Sequence, residues 1–308
     1  RRGAAAGQGL RDGGRSAGRE KPAACDRRAG TRPLPNKKLG EEPENRAATP
    51  ALRPQTSREG ERKMLYIYGV TDRGMVREAN EDRFAGEVFD RGSGYAVVCD
   101  GMGGEVGGGI AAGIAAEEVR RMIESSLRPH MEERSLHLLL QTAIDGANRA
   151  VFTRSRQSGG ALDGMGSTLC AAVVSDGTAL VANVGDSRCY LLREGELSRV
   201  TEDHTAVAAL LRQGLLTPEE AACHPDRHAI TRAIGVEPEV QPDYTVIDLK
   251  TGDALLLCSD GLYNALPPGE LTEALQEVLR GADIHTMINK ANAAGGPDNI
   301  TAVLMHNR

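Results

Sequence analysis

From residue 65 to residue 306 the chain is a succession of short apolar runs, rich in β-branched residues and separated by turn signals. That succession limits the fold more than any other feature. Strands are predicted at 65–72, 82–90, 94–99, 167–175, 178–184, 187–193, 243–249, 253–258 and 300–306. Helix-period segments fall at 106–127, 134–157, 204–213, 217–222, 268–280 and 283–294. Turns as short as Ser175-Asp176-Gly177 and Arg193-Glu194-Gly195 join successive strands, which argues for antiparallel pairing. The two long central helices must then cover a sheet face. The class is α+β, layered sheets with helices outside, and there is no internal repeat.

Composition sets what can fill those layers. Hydrophobic residues make up 40% of the 308, but aromatics only 3%, with no Trp. The core must therefore be built from Ala, Val, Leu and Ile. Charge is split unevenly: residues 1–63 hold 16 Lys+Arg against 8 Asp+Glu, and the remainder 21 against 35. An acidic body lacks the basic footprint that nucleic acid requires, so nucleic acid is not an expected partner. It suits a protein that holds cations. Residues 1–63 contain no Phe, Trp, Tyr, Ile, Val or Met. Such a segment buries too little apolar surface to offset ordering entropy, and is expected to be a disordered basic tail. Met64 immediately precedes the first strand and is a candidate start, which would leave 1–63 outside the native protein. The six cysteines are scattered with no CxxC pair, which reads as buried thiols in a reducing cytoplasm rather than zinc or disulfides. No apolar run approaches 18 residues, and the N-terminus lacks the apolar core of a signal peptide, so no membrane association is expected.

Five acidic sites share one local grammar, an Asp beside Gly, Asn or Ser at the end or start of an apolar strand. They are Cys99-Asp100-Gly101, Gly185-Asp186-Ser187, Ser259-Asp260-Gly261, Pro297-Asp298-Asn299 and Asn80-Glu81-Asp82. A strand end fixes the Cα, and the adjacent Gly lets the backbone turn and bring a carbonyl near. Carboxylates and carbonyls are hard oxygen ligands that select Mg²⁺ or Mn²⁺. Two such ions about 3.5–4 Å apart can activate water for in-line attack on phosphorus. For any single Asp-Gly, a turn is the stronger reading. Asp176-Gly177 is expected to be a hairpin turn, and Asp163-Gly164 a loop turn. Asp100 and Asp260 stand apart because a long apolar strand feeds each.

Six stretches occur in order: Arg77-Glu78-Ala79-Asn80-Glu81-Asp82, Asp100-Gly101-Met102-Gly103-Gly104, Gly166-Ser167-Thr168, Gly185-Asp186-Ser187-Arg188, Ser259-Asp260-Gly261-Leu262 and Asp298-Asn299-Ile300-Thr301. Together they closely resemble the metal-dependent type 2C protein phosphatases in their compact bacterial form, over about residues 66–306. The resemblance implies a four-layer αββα sandwich for residues 64–308, with a binuclear Mn²⁺/Mg²⁺ site at one end. It implies that Asp100 bridges both ions, with Gly101 contributing its carbonyl, and that Asp260 and Asp298 complete one metal. Glu81 or Asp82 would act near the other, partly through water, and Asp186 with Asp260 would hold a third, weaker ion. Arg77 matches the phosphate-binding arginine, whose planar guanidinium grips two oxygens at once. The implied activity is hydrolysis of phosphoserine and phosphothreonine in proteins, opposing a serine/threonine kinase. The enzyme would be a cytoplasmic, bacterial monomer.

Met102 stands where eukaryotic relatives carry His, which leaves the general acid unassigned. His204, in Glu202-Asp203-His204-Thr205, reads as structural. Residues 205–228 match a flap expected to influence substrate choice. Three rival readings are weaker. A catalytically dead binding module should have lost metal aspartates. A nucleotide-binding protein should end the Gly103–Gly109 run in Gly-Lys-Ser/Thr. An anti-sigma-factor-type phosphatase usually belongs to a larger chain. No cysteine of the apolar runs starts a Cys-x₅-Arg phosphatase loop.

Overall fold

The computed structural model describes residues 64–308. The expected tail, residues 1–63, lies outside the described residues. Two five-stranded antiparallel sheets form the centre. The first contains, in spatial order, β1 (Leu65–Asp72), β12 (Ile300–Asn307), β11 (Ala254–Cys258), β8 (Arg188–Arg193) and β9 (Glu196–Arg199). The second contains β10 (Asp243–Asp248), β7 (Thr178–Val184), β6 (Leu169–Ser175), β3 (Ser93–Cys99) and β2 (Arg83–Val88).

Alternation along each strand sorts side chains between two interiors, because successive residues point to opposite sheet faces. On β3, Ala96 and Val98 face the other sheet, where they meet Leu255 and Leu257 of β11. Tyr95, Val97 and Cys99 instead pack under the helices α1 (Gly104–Ser126) and α2 (Glu133–Arg156). On β11, Ala254, Leu256 and Cys258 face the outer layer of α5 (Asp260–Ala265), α6 (Pro268–Leu279) and α7 (His285–Ala293). The result is the four-layer αββα sandwich, with both faces of each sheet covered. Small residues dominate the α1 contact, where Ala111, Ala112, Ala115 and Ala116 are buried, as a chain poor in aromatics requires.

Local signals fix the connections. Asp176 (φ 50) and Gly177 (φ 89) both lie in the left-handed region, the conformation of a two-residue hairpin turn. Glu194 and Gly195 repeat it between β8 and β9. Helix α3 (Ala206–Arg212) starts two residues later than its period implied, because Thr205 caps it by accepting a hydrogen bond from Ala208 N. Thr217 and Glu220 form a capping box on α4 (Pro218–Ala222). β9, α5 and the two-residue strands β4 (Gly101–Met102) and β5 (Gly166–Ser167) were not expected. β9 is a short, mostly exposed edge without apolar periodicity, and α5 opens on an Asp-Gly pair that reads as a turn. The strand predicted at 82–90 is shorter, Arg83–Val88, which leaves Asp82 outside it.

Leu256 is fully buried in a central strand. Leu256→Ala should lower unfolding stability by about 2–5 kcal/mol in urea denaturation. Val246→Ala on the exposed edge strand β10 should cost less than about 1 kcal/mol.

Candidate active site

Asp100, Asp260 and Asp298 come from strand ends that open on one side of the sandwich. Asp100 follows β3, Asp260 begins the helix after β11, and Asp298 precedes β12. With Asp186, which follows β7, they line a cleft of about 1360 Å³ that also contains Arg77, Glu81, Gly101, Met102, Arg227 and His228.

The backbone around Asp100 is tightly bound. Its N–H donates to Thr168 Oγ1 (2.9 Å), and its carbonyl accepts from Thr168 N (2.8 Å) and Ser167 Oγ (3.0 Å). Thr168 Oγ1 in turn bonds Ser187 Oγ (2.7 Å), beside Asp186. One hydroxyl pair therefore ties two acidic loops together. Gly101 is required by space: a Cβ there would overlap the Gly108 carbonyl and sit 2.9 Å from the Glu81 carbonyl. Gly108 likewise lets the start of α1 press against the acidic loop, since a Cβ there would lie 2.7 Å from the Gly101 carbonyl carbon.

Asp186 is anchored by its backbone, its carbonyl accepting from Tyr263 OH (3.0 Å). Its neighbour Gly185 donates its N–H to His204 Nδ1 (3.2 Å) and accepts from His204 N (2.9 Å). With Nδ1 accepting, Nε2 carries the proton toward Asp243 Oδ2, 3.1 Å away. Burial lowers the pKa of His204. His204 is therefore a neutral brace for the Asp186 loop, in line with its structural reading.

Asp82 is brought near the others but not into the cleft. Its side chain is wholly buried, and Oδ2 accepts from Ser259 Oγ (2.6 Å) and Thr301 Oγ1 (2.7 Å). It lies behind the floor, joining the segments that carry Asp260 and Asp298. Glu81 does line the cleft; its N–H donates to Asn299 Oδ1 (2.8 Å). Asn299 also donates to the carbonyls of Arg73 and Ala79 (both 2.9 Å), pinning both ends of the loop that presents Arg77. Arg77 itself bonds Asp298 Oδ2 (2.7 Å) with its side chain about half exposed.

Crowding of carboxyls shows in their acidity. Burial, then the neighbouring carboxylates Asp186, Asp298 and Asp82, push Asp260 up to about 8. Burial, then Asp82, Asp260, Asp186 and Asp298, hold Asp100 well above the usual carboxylate range. Asp186 is pushed up to about 6 by burial and Asp203. Asp82 is also pushed up to about 6 by burial, against the lowering effect of the Ser259 and Thr301 hydroxyls. Glu81 Oε1 and Asp82 Oδ1 are buried without a hydrogen-bond partner.

This donor set fits divalent cations. It offers hard oxygens, an excess of negative charge and an orphaned carboxylate oxygen at the cleft wall. Among the described residues no group of three or more His, Cys, Asp or Glu side chains is already arranged to hold an ion. Arg77 occupies one oxygen of Asp298, and Asn264 Nδ2 bonds Asp260 Oδ2 (3.1 Å). Those contacts must loosen when ions enter.

Comparison with known proteins places the chain in a family. The family model "Protein phosphatase 2C" matches residues 75–291. The serine/threonine phosphatase Stp of Listeria monocytogenes is 39% identical over 243 residues, covering 76% of this chain and 93% of that protein. The solved serine/threonine phosphatase of S. agalactiae superposes with a TM-score of 0.72 at 31% identity, over 79% of this chain and all of that one. The catalytic domain of the serine/threonine protein phosphatase PstP, solved in complex with two manganese ions, gives 0.67 at 33% identity, over 80% and 99%. The chain belongs to the protein phosphatase 2C family and is a serine/threonine protein phosphatase, a metal-dependent hydrolase of phosphoproteins. No helix of the described residues is long and apolar enough to cross a membrane.

Carboxyls with raised folded pKa values stabilise the fold when protonated, fully below about 4, and lose that contribution as pH rises through the folded value. The interval from pH 7 to 8.5 spans the folded value of Asp260, about 8, so that buried carboxyl governs the change. The melting temperature of EDTA-treated protein should fall across this interval. Added Mn²⁺ should raise it more at pH 8.5 than at pH 7, because ions compete with protons for these groups. A flat or rising profile in the metal-free protein would contradict the site's electrostatics.

Proposed function

We propose that Asp100, the Gly101 carbonyl, Asp260 and Asp298 would hold two Mn²⁺ or Mg²⁺ ions. Glu81 serves the second ion, and Asp186 with Asp260 serves a weaker third. Asp82 acts by holding the loops of Asp260 and Asp298 in register through Ser259 and Thr301. The observation that carries this reading is the convergence of four carboxylates from four strand ends on one cleft beside Arg77. The two manganese ions of the PstP catalytic domain support it.

When bound, such ions lower the pKa of water toward about 7 and offset charge developing on the phosphoryl oxygens. The chain's own residues do the rest. Arg77, which bonds Asp298 in the ion-free protein and is released as ions enter, presents its planar guanidinium to phosphate oxygens and orients the group. The Thr168–Ser187 pair and the His204 brace keep Asp100 and Asp186 at fixed separation. No side-chain nucleophile is required. The buried free thiols Cys99, Cys170, Cys189 and Cys258 agree with a cytoplasmic enzyme. Residues 64–308 are then the catalytic domain of a monomer that opposes a serine/threonine kinase.

Phosphate release from p-nitrophenyl phosphate should require Mn²⁺ or Mg²⁺, and Asp260→Asn should abolish it while leaving the circular dichroism spectrum intact. Full activity of that variant, or activity in EDTA, would overturn the ligand assignment. Arg77→Lys keeps the charge but loses the planar fork. Its KM should rise on the order of tenfold.

A further inference from the structure

Val76 and Val106 are the two most exposed large apolar side chains among the described residues, at 67% and 66%. Both line the acidic cleft. The fold explains neither. Val106 lies in the first turn of α1, where a β-branched residue offers no cap and loses rotamer freedom. The helix packs inward through Gly107, Gly108, Ala111 and Ala112, all buried. Val76 lies in a loop pinned at both ends by Asn299, with Met75 N–H bonded to the Gly296 carbonyl (2.8 Å). That loop is fixed, yet it holds Val76 in water. Local choices that break the rules of burial without serving the fold concentrate at functional sites.

The surroundings restrict what can cover these side chains. Val76 directly precedes Arg77, so its Cα lies about 3.8 Å from that of the phosphate-gripping residue. The cleft, at about 1360 Å³, exceeds what a phosphate alone fills and admits several residues of a polypeptide. Besides Arg77, which is assigned to the phosphate, the exposed Arg227 and Glu78 at its edge are of opposite sign, so neither an acidic nor a basic neighbour of the phosphate is selected there. The apolar surface is continuous with a cleft whose substrate is a phosphorylated protein.

We propose that Val76 and Val106 form an apolar collar that receives aliphatic side chains flanking the phosphorylated residue. The preferred substrates are then segments with Val, Leu or Ile within about two residues of the phosphoserine or phosphothreonine, a distance set by the reach of an extended chain. This rests on the assignment of the cleft as the catalytic site.

The test uses one set of phosphothreonine peptides that differ only at the flanking positions, carrying Val/Leu, Ser, Asp or Lys. The readout is the ratio of kcat/KM between sets, in which any general loss of catalytic power cancels. Wild-type protein should favour the Val/Leu set over the Ser set by about fivefold to tenfold, as partial burial of one aliphatic side chain implies. The Val76→Ser/Val106→Ser double variant should bring that ratio close to one. Both positions face water, so its melting temperature should stay near wild type. A wild-type ratio near one, a preference for the Asp or Lys set, or a double variant that keeps the Val/Leu preference would each overturn the collar while leaving the catalytic site standing. Absence of turnover on every peptide with Mn²⁺ and with Mg²⁺ would overturn the assignment of the cleft, and the collar with it.

Discussion

Carboxylates repel one another, and a fold that gathers several at one place must hold them there against that repulsion and against the cost of burial. In this chain the restraint comes from the two sheets. Strands β3, β7, β11 and β12 are packed on both faces, so their ends cannot move independently. Asp100, Asp186, Asp260 and Asp298 are carried at or beside those ends. The elevated pKa values of Asp260 and Asp100 express first the cost of burial and then the mutual repulsion. In the proposed ligand set, cations would offset both, linking folding, metal binding and catalysis through the same oxygens.

A layer of neutral donors makes that arrangement specific. Ser259 and Thr301 converge on Asp82 Oδ2, tying β2's entrance to the segments before α5 and inside β12. Thr168 bonds both Asp100 and Ser187, and Asn299 fixes Glu81 together with the Arg77 loop. Arg188 adds a bidentate contact to Asp203 (2.9 and 2.6 Å) and lies over the Tyr263 ring, whose hydroxyl holds Asp186. Hydroxyls and amides suit this task because they satisfy carboxylates and carbonyls without adding charge to a crowded centre.

Much of this was legible in the order of residues. Short apolar runs rich in β-branched residues mark the strands, and Asp176-Gly177 marks its hairpin. Asp100 and Asp260 stand out because each runs straight out of an apolar segment, while a site at one end of the sandwich is what the family resemblance implies. What stayed hidden was non-local. Asp82 reads like Glu81 in sequence, yet one residue's step along the chain turns it from the cleft into the interior. Ser259, Thr301 and Asn299 sit within the motifs, but their bonds span 177, 219 and 218 residues of chain, and nothing local signals them. β9 and α5 were missed because a polar edge strand has no periodicity and a six-residue helix too few turns to show one.

The placement of the ions decides between a cleft that only resembles a metal site and one that is built to be one. Anomalous diffraction at the manganese edge from crystals soaked in Mn²⁺ measures it directly. Two strong peaks are expected within coordination distance of Asp100, with Asp260 and Asp298 on one of them and Asp82 touching neither. No ordered peak in the cleft, or an ion bound directly by Asp82 in place of Asp100, would contradict that arrangement.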